Sequence, residues 1–151
     1  MRYFKDGLEV LVVGLTVVAC GENSTASDPE PCTAETGSVT ATVSIGQAVI
    51  FDWEPRCAVA LLLVEDDGSD VWAINTDDST WDDPEQANRI SPPVTYGIAP
   101  PAIPESYGPL ALVDGTTYEL VLWRILPEGS TVQCQRRLEN ACLLAVHAFA
   151  R

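Results

Sequence analysis

The run SVTATVSI, residues 38–45, decides the fold class of this chain. Val39, Ala41, Val43 and Ile45 alternate with Ser38, Thr40, Thr42 and Ser44, the period of two that sets one face of a strand on a core and the other in water. The same period recurs toward the C-terminus. After a turn near Gly46, Val49, Phe51 and Trp53 share one face, Asp52 and Glu54 take the other, and Pro55 ends the strand. Residues 58–64 are an unbroken apolar run, too short for a helix and read as a strand buried on both faces. Asp66, Asp67, Gly68 and Ser69 form a hairpin turn, since Asp-Gly supplies the positive φ angles that tight turns need, and residues 71–75 are the partner strand. Residues 75–89 read as a long acidic loop. Residues 90–96 read as a strand confined to a sheet edge by Pro92 and Pro93. Residues 97–109, with Pro100, Pro101, Pro104 and Pro109, read as a stiff loop, and residues 142–150 as the last strand. The fold class expected is all-β, an antiparallel β-sandwich.

Toward the N-terminus the pattern stops. Residues 21–37 are mainly Glu, Asn, Ser, Thr, Asp, Pro and Gly without apolar periodicity, the composition of a solvated linker. Before it, Arg2 and Lys5 precede an apolar stretch at residues 10–19 that ends in small Ala19, as a secretory signal does. That stretch is too short to span a membrane, which takes about 20 residues. Val17, Val18, Ala19 and Cys20 resemble the lipobox of bacterial lipoproteins. The resemblance implies that residues 1–19 are removed, that the Cys20 thiol is diacylated, and that the mature chain is extracytoplasmic and held to a membrane by its lipid. With Gly21 rather than Asp after the lipidated Cys, the resemblance favours the outer membrane where a cell has two. The expected division is 1–19 signal peptide, 20–37 lipidated Cys and linker, and 38–151 β-sandwich domain.

Charge narrows the partners. The net charge is −14, and residues 1–19 hold two basic and two acidic side chains (Arg2, Lys5, Asp6, Glu9), so their removal leaves it unchanged. Beyond Cys20 there is no lysine, and the basic side chains are Arg56, Arg89, Arg124, Arg136, Arg137 and Arg151. Such a surface repels phosphates, so nucleic acid is not an expected partner, and anionic lipid head groups are disfavoured likewise. Four cysteines remain after Cys20. An even number in an exported chain favours disulfides; three connectivities exist, and the preferred one joins Cys32 with Cys57 and Cys134 with Cys142, the latter closing a short loop.

A second resemblance concerns Leu112, Asp114, Gly115, Thr116 and Tyr118. They resemble the turn before the sixth strand of fibronectin type III domains, where a Leu precedes a Gly-Thr turn and a Tyr follows. The resemblance implies a tyrosine corner, the phenol bonding back to backbone a few residues upstream, with Tyr118, Leu120 and Leu122 facing the core. Trp53 matches the buried Trp of such domains. The likeness covers residues 38–150 and implies a fold, not a function. Asp114 where Pro is usual, the long stretch 77–109, and the added Cys134 and Cys142 depart from the pattern.

The residues that catalysis requires are mostly missing, so an enzyme is not expected. The single His147 falls in the last strand with Leu143, Ala145 and Phe149 on its face, and there is no nucleophile elbow, no His-Glu-x-x-His and no lysine beyond Cys20 for a phosphate loop or Schiff base. Glu65, Asp66, Asp67, Gly68 and Asp70 lack the spacing of a calcium loop and read as a solvated hairpin. The loop with Asp77, Asp78, Trp81, Asp82 and Asp83 sets an aromatic among carboxylates: either Trp81 folds onto the sandwich, or the loop is a ligand or calcium site, oxygen donors suiting calcium. The function expected is a binding or structural module of the bacterial envelope, its partner an envelope protein or a glycan. The alternatives are a carbohydrate-binding or calcium-dependent adhesion domain using Trp81, Tyr96 or Tyr107, and third an acidic hydrolase.

Overall fold

The computed structural model describes residues 31–151. The signal segment, Cys20 and residues 20–30 of the linker lie outside the described residues. Two antiparallel sheets face each other. One has the order β1-β2-β5, from β1 (Thr40–Ile45), β2 (Val49–Glu54) and β5 (Val94–Thr95). The other has the order β6-β4-β3-β7-β9-β8, from β3 (Leu61–Asp66), β4 (Ser69–Asn75), β6 (Glu105–Tyr107), β7 (Thr117–Ile125), β8 (Arg136–Leu138) and β9 (Ala141–Ala150). This is a β-sandwich consistent with the fibronectin type III and immunoglobulin-like architecture.

The core forms where the alternating faces meet. Phe51 and Trp53 of β2 pack against Leu62 and Val64 of β3, Trp72 of β4, Leu120 and Leu122 of β7, and Leu144 of β9. Phe51 meets Trp72 and Phe149 with ring centroids 6.4 and 5.6 Å apart. Trp53 is only 1% exposed, and its indole N–H donates to the Cys57 carbonyl at 2.7 Å, so the ring is buried without stranding its donor. Tyr118 is 2% exposed and its Oη accepts from the Val113 N–H at 2.8 Å, the expected tyrosine corner. Leu112 packs on the core edge, and Gly115 takes φ +82°, a conformation that favours glycine. The Asp67-Gly68 turn has φ 48° and 77°, as the hairpin reading required.

Both preferred disulfides are present, Cys32–Cys57 and Cys134–Cys142. The first, with Arg124 Nη1 donating to the Thr33 carbonyl at 2.8 Å, fastens the last residues of the expected linker to the domain.

Four elements differ from the reading of the sequence. The run 58–64 is a strand only from Leu61; Val59 and Ala60 before it are fully buried, and within the strand Leu62 and Val64 are enclosed while Leu61 and Leu63 are partly exposed. The strand expected over 90–96 shrinks to Val94–Thr95, with Ile90 instead bridging to Val59, because two consecutive prolines donate nothing to a ladder. The stiff loop 97–109 contains β6, which adds to β4 through Ala73↔Tyr107 and Ile74↔Glu105. Its end is set by Gly108, where a Cβ would strike the Val71 carbonyl. The acidic loop is built from a 3-10 turn, Asp78–Thr80, and a helical turn α1, Pro84–Ala87.

Candidate functional site

Strand registers assign every side chain of the six-stranded sheet to a face. Leu62↔Ile74 and Leu62↔Leu122 are inward pairs. Their neighbours therefore point outward, and these form three rows across the sheet. The first is Asp70, Glu65 and Glu119; the second is Tyr107, Ala73, Leu63, Val121 and Val146; the third includes Leu61, Trp123 and Leu143. The second row and the centre of the third are apolar, although this face looks away from the other sheet; the third row ends on Asn75 and Arg136. Ala73, Val121 and Leu143 are buried yet lie outside the core between the sheets. Tyr107, Val146 and Leu138 are 46, 43 and 51% exposed.

One end of this face is partly covered by the acidic loop. Ala87 and Trp81 pack on Ala60, Ile125, Ala141 and Trp123, a second apolar cluster separate from the main core. Three hydrogen bonds hold the loop there. The Asn88 side chain donates to the Ile125 carbonyl at 2.7 Å and accepts from the Ile125 N–H at 2.9 Å, standing in for a strand partner. Asn140, in the turn between β8 and β9, donates to the Trp81 carbonyl at 2.7 Å. Between the loop and that hairpin lies a groove of about 590 Å³ lined by Leu61, Trp81, Trp123, Leu138, Arg137 and Glu139 among others. The Trp81 Nε1 is buried and has no hydrogen-bond partner among the described residues.

The loop carboxylates have local work. Asp77 Oδ1 accepts from the Ser79 N–H at 2.9 Å, and Asp83 Oδ1 from the Glu85 N–H at 3.0 Å while its Oδ2 accepts from Gln86 at 2.7 Å. They cap the two short turns, and those hydrogen bonds hold both carboxyls below the usual carboxylate range. Asp78 accepts from Asn75 at 3.1 Å. Among the described residues, no group of three or more His, Cys, Asp and Glu side chains converges as metal ligands.

Glu65 behaves oppositely. It stands directly across from Asp70 on one side and Glu119 on the other. Partial burial, then the charges of Asp70 and Glu119, push its carboxyl up. The described ion pairs join Arg56 to Asp52 and Glu54, and Arg151 to Asp114, so none neutralises this row.

The aromatics named from sequence separate. Trp81 lines the groove and Tyr107 stands on the outer face, but Tyr96 lies between the sheets. Its ring packs edge-on to Trp72, 5.1 Å away, and its hydroxyl donates to the Leu110 carbonyl at 2.6 Å. Burial pushes its phenol up to about 12. His147 sits opposite Leu120, half-buried. Trp123, Val121, Val146 and Leu63 did not stand out by sequence. The available signal was β7 itself, where Val121 and Trp123 make the outward alternation as apolar as the inward one.

No family model, curated protein or solved structure matches the chain.

Proposed function

We propose that this chain is an extracytoplasmic binding module, tethered through lipid on Cys20, that engages its partner with the outer face of the six-stranded sheet. The observation that carries the binding part is the second apolar face. A sandwich needs one buried face per sheet, and contiguous apolar surface beyond that marks interaction sites. The two disulfides support an oxidising compartment, and the lipobox-like residues 17–20 support the anchor. Footprinting of side chains by photochemical carbene labelling, on cells and on purified protein, tests the reading. Protection of Leu63, Tyr107, Trp123 and Val146 in the envelope is the expected result. Equal labelling in both settings overturns it. For the anchor, Cys20→Ser moves the protein from the detergent phase to the aqueous phase; unchanged partitioning removes lipidation from the proposal.

Carbohydrate binding is the second reading, favoured by Trp81 and Trp123 lining one groove, since sugar faces stack on aromatic rings. A glycan array run with and without calcium separates it from protein recognition.

A further inference from the structure

We infer that the partner of the outer face is a protein segment whose apolar side chains are flanked by lysines or arginines. The inference rests on the binding reading above and specifies its chemistry.

The apolar rows and the carboxylate row are parts of one surface, adjacent along β3, β4 and β7. Residue 65 follows residue 63 on the same face of β3, and residue 119 precedes residue 121 on β7. A ligand laid over Leu63 and Val121 thus has its margin beside Glu65, Glu119 and Asp70. Like charges directly opposite one another in a sheet are destabilising, and no described Arg meets these three. A cationic margin on the partner would convert that repulsion into attraction as the apolar rows are covered. Charge complementarity of this kind selects partners and speeds their encounter.

The same features disfavour other occupants. A second copy would bring a net charge of −14 against −14, and no Arg lies in the carboxylate row to answer the facing one. An anionic membrane surface is repelled. The second row is aliphatic at its centre, Ala73, Leu63, Val121 and Val146, and offers no hydrogen-bonding side chain to a sugar there.

The test uses the soluble Cys20→Ser chain and short synthetic peptides alternating Leu with Lys, with Ser or with Glu, titrated at physiological salt and followed by backbone amide shifts. The Leu-Lys peptide is expected to bind, shifting amides of Leu63, Val121 and Val146. Glu65→Gln with Glu119→Gln should weaken it roughly three- to tenfold, the effect of two exposed charges, whereas Glu35→Gln with Glu54→Gln, the same charge removed elsewhere, should leave it unchanged. Equal weakening by both pairs means attraction to net charge alone and overturns the inference. If the Leu-Ser peptide binds this face as well as Leu-Lys, the cationic requirement is wrong while the binding face stands. Failure of every peptide to shift these amides overturns the inference, and the envelope footprint then decides separately whether the face binds at all.

Discussion

The two faces of the six-stranded sheet have similar chemistry and different fates. The inward face presents Leu62, Val64, Leu120 and Leu122 to a second sheet that brings Phe51 and Trp53 over them. The outward face presents Leu63, Val121, Trp123 and Leu143, and what covers it is one helical turn and a tryptophan at one end. The difference lies in what the chain supplies opposite each face. Three strands close the inner one, whereas the outer one receives a loop held by Asn88 and Asn140. Apolar side chains are thus a necessary condition for a core and not a sufficient one. Where covering structure runs short, the remainder is surface available to a partner.

Substitutions on the two faces should separate that contrast, most steeply at the inner one. Trp53→Ala empties the middle of the closed face and should cost about 3–5 kcal/mol, the range for a buried aromatic, seen as a lower denaturant midpoint. Tyr118→Phe keeps the ring and removes the part-buried hydrogen bond to Val113; it should cost about 1–2 kcal/mol. A neutral outcome would mean the tyrosine corner does not bear on stability. On the open face, Val146→Ser should change stability by no more than about 0.5 kcal/mol, as at other half-exposed sites, while reducing binding of the Leu-Lys peptide. A loss comparable with that of Trp53→Ala would show that the outer face is a second core and not a docking surface.

The smallest effect is electrostatic and carries a sign. Glu65 is raised above its ordinary 4.5 in the folded state, so the fold takes up a proton there. Its contribution to stability is fully present below pH 4.5 and is lost as pH rises through its higher folded value. Glu65→Gln should therefore stabilise the protein at neutral pH by about 0.2–0.5 kcal/mol, the size of an exposed pair after solvent screening, and the gain should vanish below pH 4.5. Asp77 and Asp83 lie below their ordinary 3.8. What they contribute is present above pH 3.8 and lost as pH falls through their lower folded values. Melting temperatures of Glu65→Gln and Asp83→Asn across pH 3 to 7 should therefore differ from the parent in opposite senses.

Much of the fold was legible because its determinants are local. Period-two alternation over residues 38–45 and 49–54, the Asp67-Gly68 turn and the Leu112 to Tyr118 corner each depend on neighbours within a few residues. The disulfide pairing was favoured by loop length for Cys134 and Cys142. The short β6 was not legible, since Glu105 to Tyr107 lie among prolines and form a strand only because β4 offers an unpaired edge. Nor were the two short turns within 77–87, which Asp77 and Asp83 cap by accepting from the Ser79 and Glu85 N–H groups.

By itself, then, the chain's order of residues determined that its segments are strands, that the Asp67-Gly68 turn pairs two of them, which way their side chains alternate, and that the whole is strongly acidic. Only the tertiary structure decided which of two apolar faces became the core, that Trp81 and Trp123 share a groove, and that Asp70, Glu65 and Glu119 line up across three strands. The physical reason is range. Alternation and turn geometry are settled by backbone sterics and solvent over a few residues, whereas covering a face and aligning charges require strands far apart in sequence to meet in a particular register.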